Sequence, residues 1–177
     1  MVVKITKPEF NLREKLTELD YDRVPYEKMP AGSIIQVVDH KANNTPSTTS
    51  STYAEITGTS FDIYPKFHTS KIFVSWDFGT EANGALHGIA FRVYRQIDDG
   101  SSTLLKTQDQ FTYNAQSGWN NGAGGVNITY IDTPKSIGKL TYYLQWHVEQ
   151  SGTFYINYND GSNALDGIAA QAMEIRQ

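Results

Sequence analysis

At 177 residues, the chain is long enough for one domain with its own core and a short additional segment. It contains no cysteine, which excludes disulfides, thiolate metal ligands and cysteine nucleophiles. Its net charge of −4 argues against a nucleic-acid-binding protein, for which a basic face is expected. No apolar run is long enough to insert into a membrane, and the N-terminus lacks the pattern of a signal peptide.

Residues 1–31 differ in composition from the rest and are predicted to contain a docking helix. They hold six basic and six acidic residues. Leu12, Leu16 and Leu19 fall at helical spacing, with Phe10 nearby. A helix of roughly two to three turns is not stable alone, so this stripe must pack against another surface. A partner chain or a neighbouring copy is the favoured surface, and the chain's own domain is the alternative.

The end of this segment is predicted to be an extended connector, because Pro25, Pro30 and Gly32 lie close together. The first domain therefore covers residues 1–31, and residues 32–177 form the second. The residues assigned to partner docking are Phe10, Leu12, Leu16, Leu19, Tyr21 and Tyr26.

Residues 32–177 are predicted to form an all-β domain, an antiparallel β-sandwich of jelly-roll kind. The clearest strand runs from Leu140 to Glu149, where apolar and polar residues alternate. Ser151-Gly152 supplies a two-residue turn, which predicts a central hairpin whose return strand carries Phe154, Ile156 and Tyr158. The other predicted strands cover residues 33–39, 52–57, 60–64, 71–78, 88–97, 103–111, 126–131 and 168–176.

Several connections have turn composition. Asp98-Asp99-Gly100 predicts a second hairpin, and residues 43–51, 79–84 and 114–125 are predicted loops. The segment from Asn157 to Asn163 has the polar composition of a calcium loop. However, Ile156 and Tyr158 would occupy its first and third ligand positions, so a plain hairpin turn is predicted instead.

The sequence offers little for catalysis or metal binding. Histidines 40, 68, 87 and 147 show no short ligand spacing, and a solvated role for His147 is favoured over a metal site. Asp98-Asp99, the adjacent acidic pair outside the N-terminus, falls in a predicted turn. Nucleophile-elbow, P-loop and dinucleotide-binding motifs are absent. We therefore expect no enzyme activity, no cofactor and no metal.

One loop has the residues of a binding surface. Trp119 lies in a stretch rich in Gly and Asn, with Tyr113, Asn120 and Asn121 close by. An aromatic face beside amide groups suits stacking on a sugar ring or anchoring of a protein interface. The favoured interpretation is nevertheless that Trp119 folds back over the end of the sandwich, and contact with a protein or a glycan is the alternative.

The chain also resembles a known group of proteins. Residues 4–38, KITKPEFNLREKLTELDYDRVPYEKMPAGSIIQVV, resemble the start of small virion proteins of short-tailed phages of marine bacteria and cyanobacteria. The resemblance continues through TPSTTSSTYAEITGTSFDIYP, TSKIFVSWDF, FRVYRQ, DTP and the final MEIRQ. The order of these short motifs, which spans nearly the whole chain, is more specific than any one of them.

This resemblance implies a non-enzymatic virion structural protein, assembled in the host cytoplasm. The sandwich would form part of a tail fibre or particle-surface appendage, and residues 1–31 would attach it to other virion proteins. Homo-oligomers, with a trimer favoured, and contact with a host receptor or glycan are further expectations. A capsid cement or decoration protein and a carbohydrate-binding module are the alternatives.

Overall fold

The computed structural model describes residues 25–83, 88–112, 124–149, 152–158 and 167–177. They form two packed antiparallel sheets, which confirms the predicted β-sandwich. The strands are β1 Ile34–Ala42, β2 Ser47–Thr48, β3 Ala54–Glu55, β4 Phe61–Ile63, β5 Lys71–Asn83, β6 Ile89–Ile97, β7 Thr103–Thr112, β8 Gly124–Asp132, β9 Leu140–Val148, β10 Thr153–Ile156 and β11 Ile168–Ile175.

Strand β5 is the centre of the six-stranded sheet, called sheet A below. On one edge it pairs with β8, and on the other with β11 and then β10. Strand β1 lies outside β11, and β2 lies outside β10. In the five-stranded sheet B, β9 pairs with β6 on one edge and with β3 and β4 on the other, while β7 lies outside β6.

The core lies between the two sheets and is rich in aromatic rings. Apolar residues at every second position of β5, β6 and β9 face inward, as their alternation predicts. Phe78 of sheet A packs edge-on against Phe91 of sheet B, with ring centroids 5.9 Å apart. Burying each side chain of this size stabilises the fold by about 2–3 kcal/mol.

The predicted central hairpin is wrong. Strand β9 belongs to sheet B and β10 to sheet A, so the chain crosses from one sheet to the other between them. Alternation determines which face of a strand is buried, but not which strand it pairs with. Phe154 faces the core as predicted, yet it meets Trp146 edge-on from the opposite sheet, with 6.0 Å between ring centroids.

The predicted hairpin turn after Asn157 is also wrong, because β10 and β11 both run antiparallel to β5 along the same edge. Asn157 is fully buried at the point where the chain leaves this edge. Its backbone N–H donates to the Gly79 carbonyl (2.8 Å), and its side-chain oxygen accepts from the Gly167 N–H (3.0 Å). This bond holds residues 157 and 167 together, and we call the pair the neck.

The hairpin predicted at Asp98-Asp99 is confirmed by the pairing of β6 with β7. Both aspartates have positive φ (47° and 59°), as a type I′ turn requires, and Gly100 N–H donates to the Ile97 carbonyl at 2.8 Å. Three predicted loops are partly strand. Residues 79–83 continue β5 because β10 pairs with them, residues 43–51 contain β2, and β8 begins at Gly124, inside the predicted loop 114–125.

The described part of the connector is not fully extended. Residues Tyr26–Lys28 form one 3₁₀ turn. Downstream, Gly32 N–H donates to the Arg176 carbonyl (2.8 Å), and Arg176 N–H donates to the Ser33 carbonyl (3.0 Å). The Arg176 guanidinium also donates to the carbonyls of Tyr26 and Met29. Residues 25–33 and Arg176 together are called the terminal junction below.

The predicted docking helix, with Phe10, Leu12, Leu16, Leu19 and also Tyr21, lies outside the described residues. So does the binding loop with Tyr113, Trp119, Asn120 and Asn121. Of the predicted site residues, the structure places Tyr26.

Candidate docking surface

Four apolar side chains lie side by side on the outer face of sheet A. Val37 of β1 pairs with Met173 of β11, Met173 with Phe73 of β5, and Phe73 with Ile131 of β8. Residues paired in register point to the same face, so these four form a continuous row across four strands. Val37 is 47% exposed and Ile131 is 56% exposed. We call this set the apolar row.

The surroundings of the apolar row differ on its two sides. Towards the terminal junction, Ile34 (50% exposed) pairs with Ile175, which widens the apolar surface. On the other side, the next register positions hold Asp39, Gln171 and Ser75. The Gln171 amide donates to the Asp39 carboxylate at 2.7 Å. The apolar surface is therefore narrow and bordered by polar groups, and it is continuous with the terminal junction.

Tyr26 lies at the terminal junction, where part of its ring is covered by another aromatic side chain. The ring packs edge-on against Phe67, with centroids 5.6 Å apart, and the Arg176 guanidinium lies 5.1 Å from the same Phe67 ring. The side chain of Tyr26 remains 41% exposed. Tyr26 thus fastens the 3₁₀ turn to the sandwich while part of its side chain stays exposed.

The outer face of sheet B carries aromatic groups that contact one another. The Arg92 guanidinium lies 3.6 Å from the centroid of the Tyr53 ring, and the His147 ring lies 4.1 Å from the same ring. Tyr53 Oη donates to the Asp109 carboxylate (3.3 Å). Because Tyr53 already contacts two cationic or aromatic groups, this cluster fits a structural role better than stacking on a ligand.

Buried Asp132 links the two sheets. Its carboxylate, at the end of β8 in sheet A, accepts from the Arg95 guanidinium (2.8 and 3.0 Å) and from Tyr142 Oη (2.8 Å), both in sheet B. It also accepts from Thr133 N–H at 2.8 Å. Burial, together with the negative charge of Asp132, raises the pKa of Tyr142 far above its ordinary value. This cluster holds the sandwich together.

Buried Glu174 fastens the loop between β4 and β5. Its carboxylate accepts from Lys66 N–H (2.8 and 3.0 Å), Phe67 N–H (3.1 Å), Ser70 Oγ (2.7 Å) and the Gln36 amide (2.6 Å). Its acceptor sites are occupied by protein donors, so a structural role accounts for its burial.

The described residues contain no group of three His, Asp or Glu side chains placed to hold a metal ion. His40 is engaged by the Gly58 carbonyl, 3.1 Å from its Nε2. Asp98 accepts from Lys139 N–H (2.8 Å), and Asp99 pairs with the Lys139 ammonium. Within the part of the chain that the structure describes, no helix is long and apolar enough to cross a membrane.

Sequence reasoning missed the apolar row because each strand contributes a single outward residue to it. The available signal was a break in the alternation of the strands. Ile72-Phe73-Val74 is a run of three apolar residues, and Val37 precedes the inward-facing Val38. Such breaks place apolar groups on both faces of a strand. Their alignment across strands requires the register, which the sequence does not show.

No protein-family model matches the chain, and no curated protein matches it. Solved structures with a similar arrangement include infectious bursal disease virus, Gx strain (10% identity, TM-score 0.37, 82% of this chain and 37% of that one). Another is Eiger TNF from S. frugiperda (6% identity, TM-score 0.37, 80% of this chain and 94% of that one). A third is TmCBM61 in complex with β-1,4-galactotriose (11% identity, TM-score 0.30, 88% of this chain and 100% of that one).

The chain spans little more than a third of the length of the bursal disease virus chain. Similarities at these identities and TM-scores carry no functional information about this protein.

Proposed function

We propose that this protein is a non-catalytic structural subunit of a phage particle, forming part of a tail fibre or surface appendage. Residues 1–31 attach it to other virion proteins, and the sandwich projects from the particle. Several copies, with three the favoured number, share one attachment site. Weak contacts of the individual sandwiches with a host surface then add up to firm binding.

The observation that carries this proposal is the terminal junction. Arg176 holds the backbone of residues 26–33, so the N-terminal segment leaves the sandwich from one fixed end. This attachment suits a knob carried on a stalk, because the segment can dock while most of the sandwich surface stays accessible. The resemblance of the motif order to that of small virion proteins of short-tailed phages gives the proposal its biological setting.

The contacts of the acidic side chains support the proposal that the protein is not a catalyst. Asp132 and Glu174 are buried and saturated by donors from the protein, and Asp98 and Asp99 are bound to Lys139 in a turn. General acid–base catalysis needs a group that can reach a substrate and exchange a proton with it. These carboxylates instead stabilise loops and sheet contacts.

Gold-labelled antibodies against the sandwich, applied to purified particles of the phage that encodes the chain, test the proposal in the electron microscope. Label at the tail or at a projecting appendage is the expected result. Label spread evenly over the capsid would favour a cement or decoration protein. Particles without label and without the protein by mass spectrometry would refute a virion role, and glycan-array binding would then be the measurement to make.

A further inference from the structure

The apolar row and the predicted stripe are two apolar surfaces that would both be stabilised by being covered. Val37 and Ile131 are about half exposed on the row. Leu12, Leu16 and Leu19, with Phe10, are predicted to form one face of a helix that is too short to be stable alone. We infer that in the free protein the stripe of residues 10–19 docks on the apolar row of its own chain.

The two surfaces match in length. Four strands spaced by about 4.8 Å give the apolar row a length of about 14 Å. The seven helical steps from Leu12 to Leu19 rise about 10 Å. A helix laid across the strands would place its leucines over Phe73 and Met173 and shield the more exposed ends of the row. The helix gains the tertiary contact that it needs, and the row loses its contact with water.

The point of attachment makes this docking accessible. The Arg176 guanidinium binds the Tyr26 carbonyl, and Arg176 directly follows Ile175 at the widened end of the apolar surface. Met173 lies two residues further along β11, or about 7 Å. Leu19 precedes Tyr26 by seven residues, which can span up to about 23 Å when extended. A tether of this length gives the stripe a local concentration in the millimolar range, so a weak contact suffices.

A second copy is a poorer occupant of the apolar row. A stable interface between two proteins removes about 800 Å² of each partner's surface from water. The row is one residue wide over most of its length, and Asp39 and Gln171 border it. Two sheets meeting face to face would have to bury these polar groups as well, whereas one short helix covers the apolar strip alone.

This docking also gives the subunit a means of control, and that consequence rests on the function proposed above. A free subunit with an uncovered attachment stripe would aggregate through it. A stripe stored on the sandwich stays shielded until a virion surface that binds it more tightly takes it over.

The absence of cysteine permits a direct test in the full chain. In Leu16→Cys/Met173→Cys, we expect an intramolecular bond under mild oxidation, seen as a monomer of altered mobility without reductant. Leu16→Cys/Leu104→Cys is the matched control, because Leu104 is exposed on the opposite sheet. Cross-linking no faster than in the control would overturn the inference. Disulfide-linked dimers would overturn it in favour of docking between copies.

A second measurement avoids cysteines. Val37→Glu should speed trypsin cleavage at Arg13 and Lys15 about tenfold, the factor expected when one buried valine contact is lost. Leu104→Glu should leave the rate unchanged, and equal rates in the two variants would contradict the docking. Both measurements use purified protein, so their failure leaves the antibody labelling of particles as an independent result.

Discussion

Glu174→Gln should destabilise the sandwich although it changes neither the size nor the shape of the side chain. In the native protein, one oxygen accepts from Lys66 N–H, Phe67 N–H and Ser70 Oγ, and the other from Gln36 and again from Lys66 N–H. The substitution replaces one of these oxygens with an NH₂ group. That donor then faces another donor inside the protein.

The magnitude follows from the contacts that are lost. With the new amide group in place of the second oxygen, the Gln36 amide loses its acceptor. Rotating the Gln36 amide would not help, because its nitrogen also donates to the Tyr64 carbonyl at 2.6 Å. A hydrogen bond to a charged group contributes about 1.5–3 kcal/mol, and the remaining bonds weaken when the charge is gone. We expect the free energy of unfolding to fall by about 3 kcal/mol.

Urea denaturation followed by tryptophan fluorescence measures this loss, and hydrogen exchange locates it. The amides of Lys66 and Phe67 should exchange faster in the variant, because they donate to Glu174 in the native protein. Glu55→Gln, at an exposed carboxylate of β3, is the control and should change stability by less than about 0.5 kcal/mol. A loss in Glu174→Gln as small as in the control would refute the reasoning.

Three further substitutions test other buried polar contacts. Because the pKa of Tyr142 is raised in the folded protein, its contribution to the free energy of unfolding is fully present below the ordinary tyrosine pKa of about 10. Above that pH the contribution falls by up to about 1.4 kcal/mol per pH unit. Tyr142→Phe should therefore flatten the alkaline denaturation profile. Thr59→Val should cost about 1–3 kcal/mol by urea denaturation, because Leu144 N–H donates to the Thr59 hydroxyl. Asn157→Ala should cost about 3 kcal/mol in the same assay, because the neck bond to Gly167 is lost and a φ of 56° disfavours alanine.

Each of these has a matched comparison. Tyr64→Phe, at a 57% exposed tyrosine, should keep the alkaline slope of the parent. Asn157→Gly, which tolerates positive φ, should lose less stability than Asn157→Ala. If the glycine variant were the less stable of the two, the role given to the backbone conformation would be wrong. Thr52→Val, at an exposed threonine, should leave the unfolding curve nearly unchanged.

The inward faces of the strands could be predicted from the sequence, because burial on one face imposes a period of two. Ile72, Val74, Trp76 and Phe78 are all buried as the alternation of β5 predicts. The turn at Asp98-Asp99 could also be predicted, since its two central residues must adopt positive φ. Local chemistry determines both features.

Pairing between distant strands could not be predicted in the same way. Phe154 and Trp146 alternate as the two arms of a hairpin would, yet they meet across the core from different sheets. The apolar row escaped prediction for the same reason, because Val37 and Ile131 become neighbours of one surface only through the intervening strands. Both features depend on contacts far apart in the chain, which the sequence pattern leaves open.

The neck formed by Asn157 and Gly167 has a practical consequence. The chain leaves the edge of β5 at the first of these residues and rejoins it at the second, and the bond between them closes the gap. Residues added between these two points should therefore leave the register of β11 and the core unchanged. Lengthening a closed loop costs only about 0.6 kcal/mol for each doubling. The segment between the two neck residues is thus a suitable position for inserting an epitope tag or a displayed peptide without changing the rest of the sandwich.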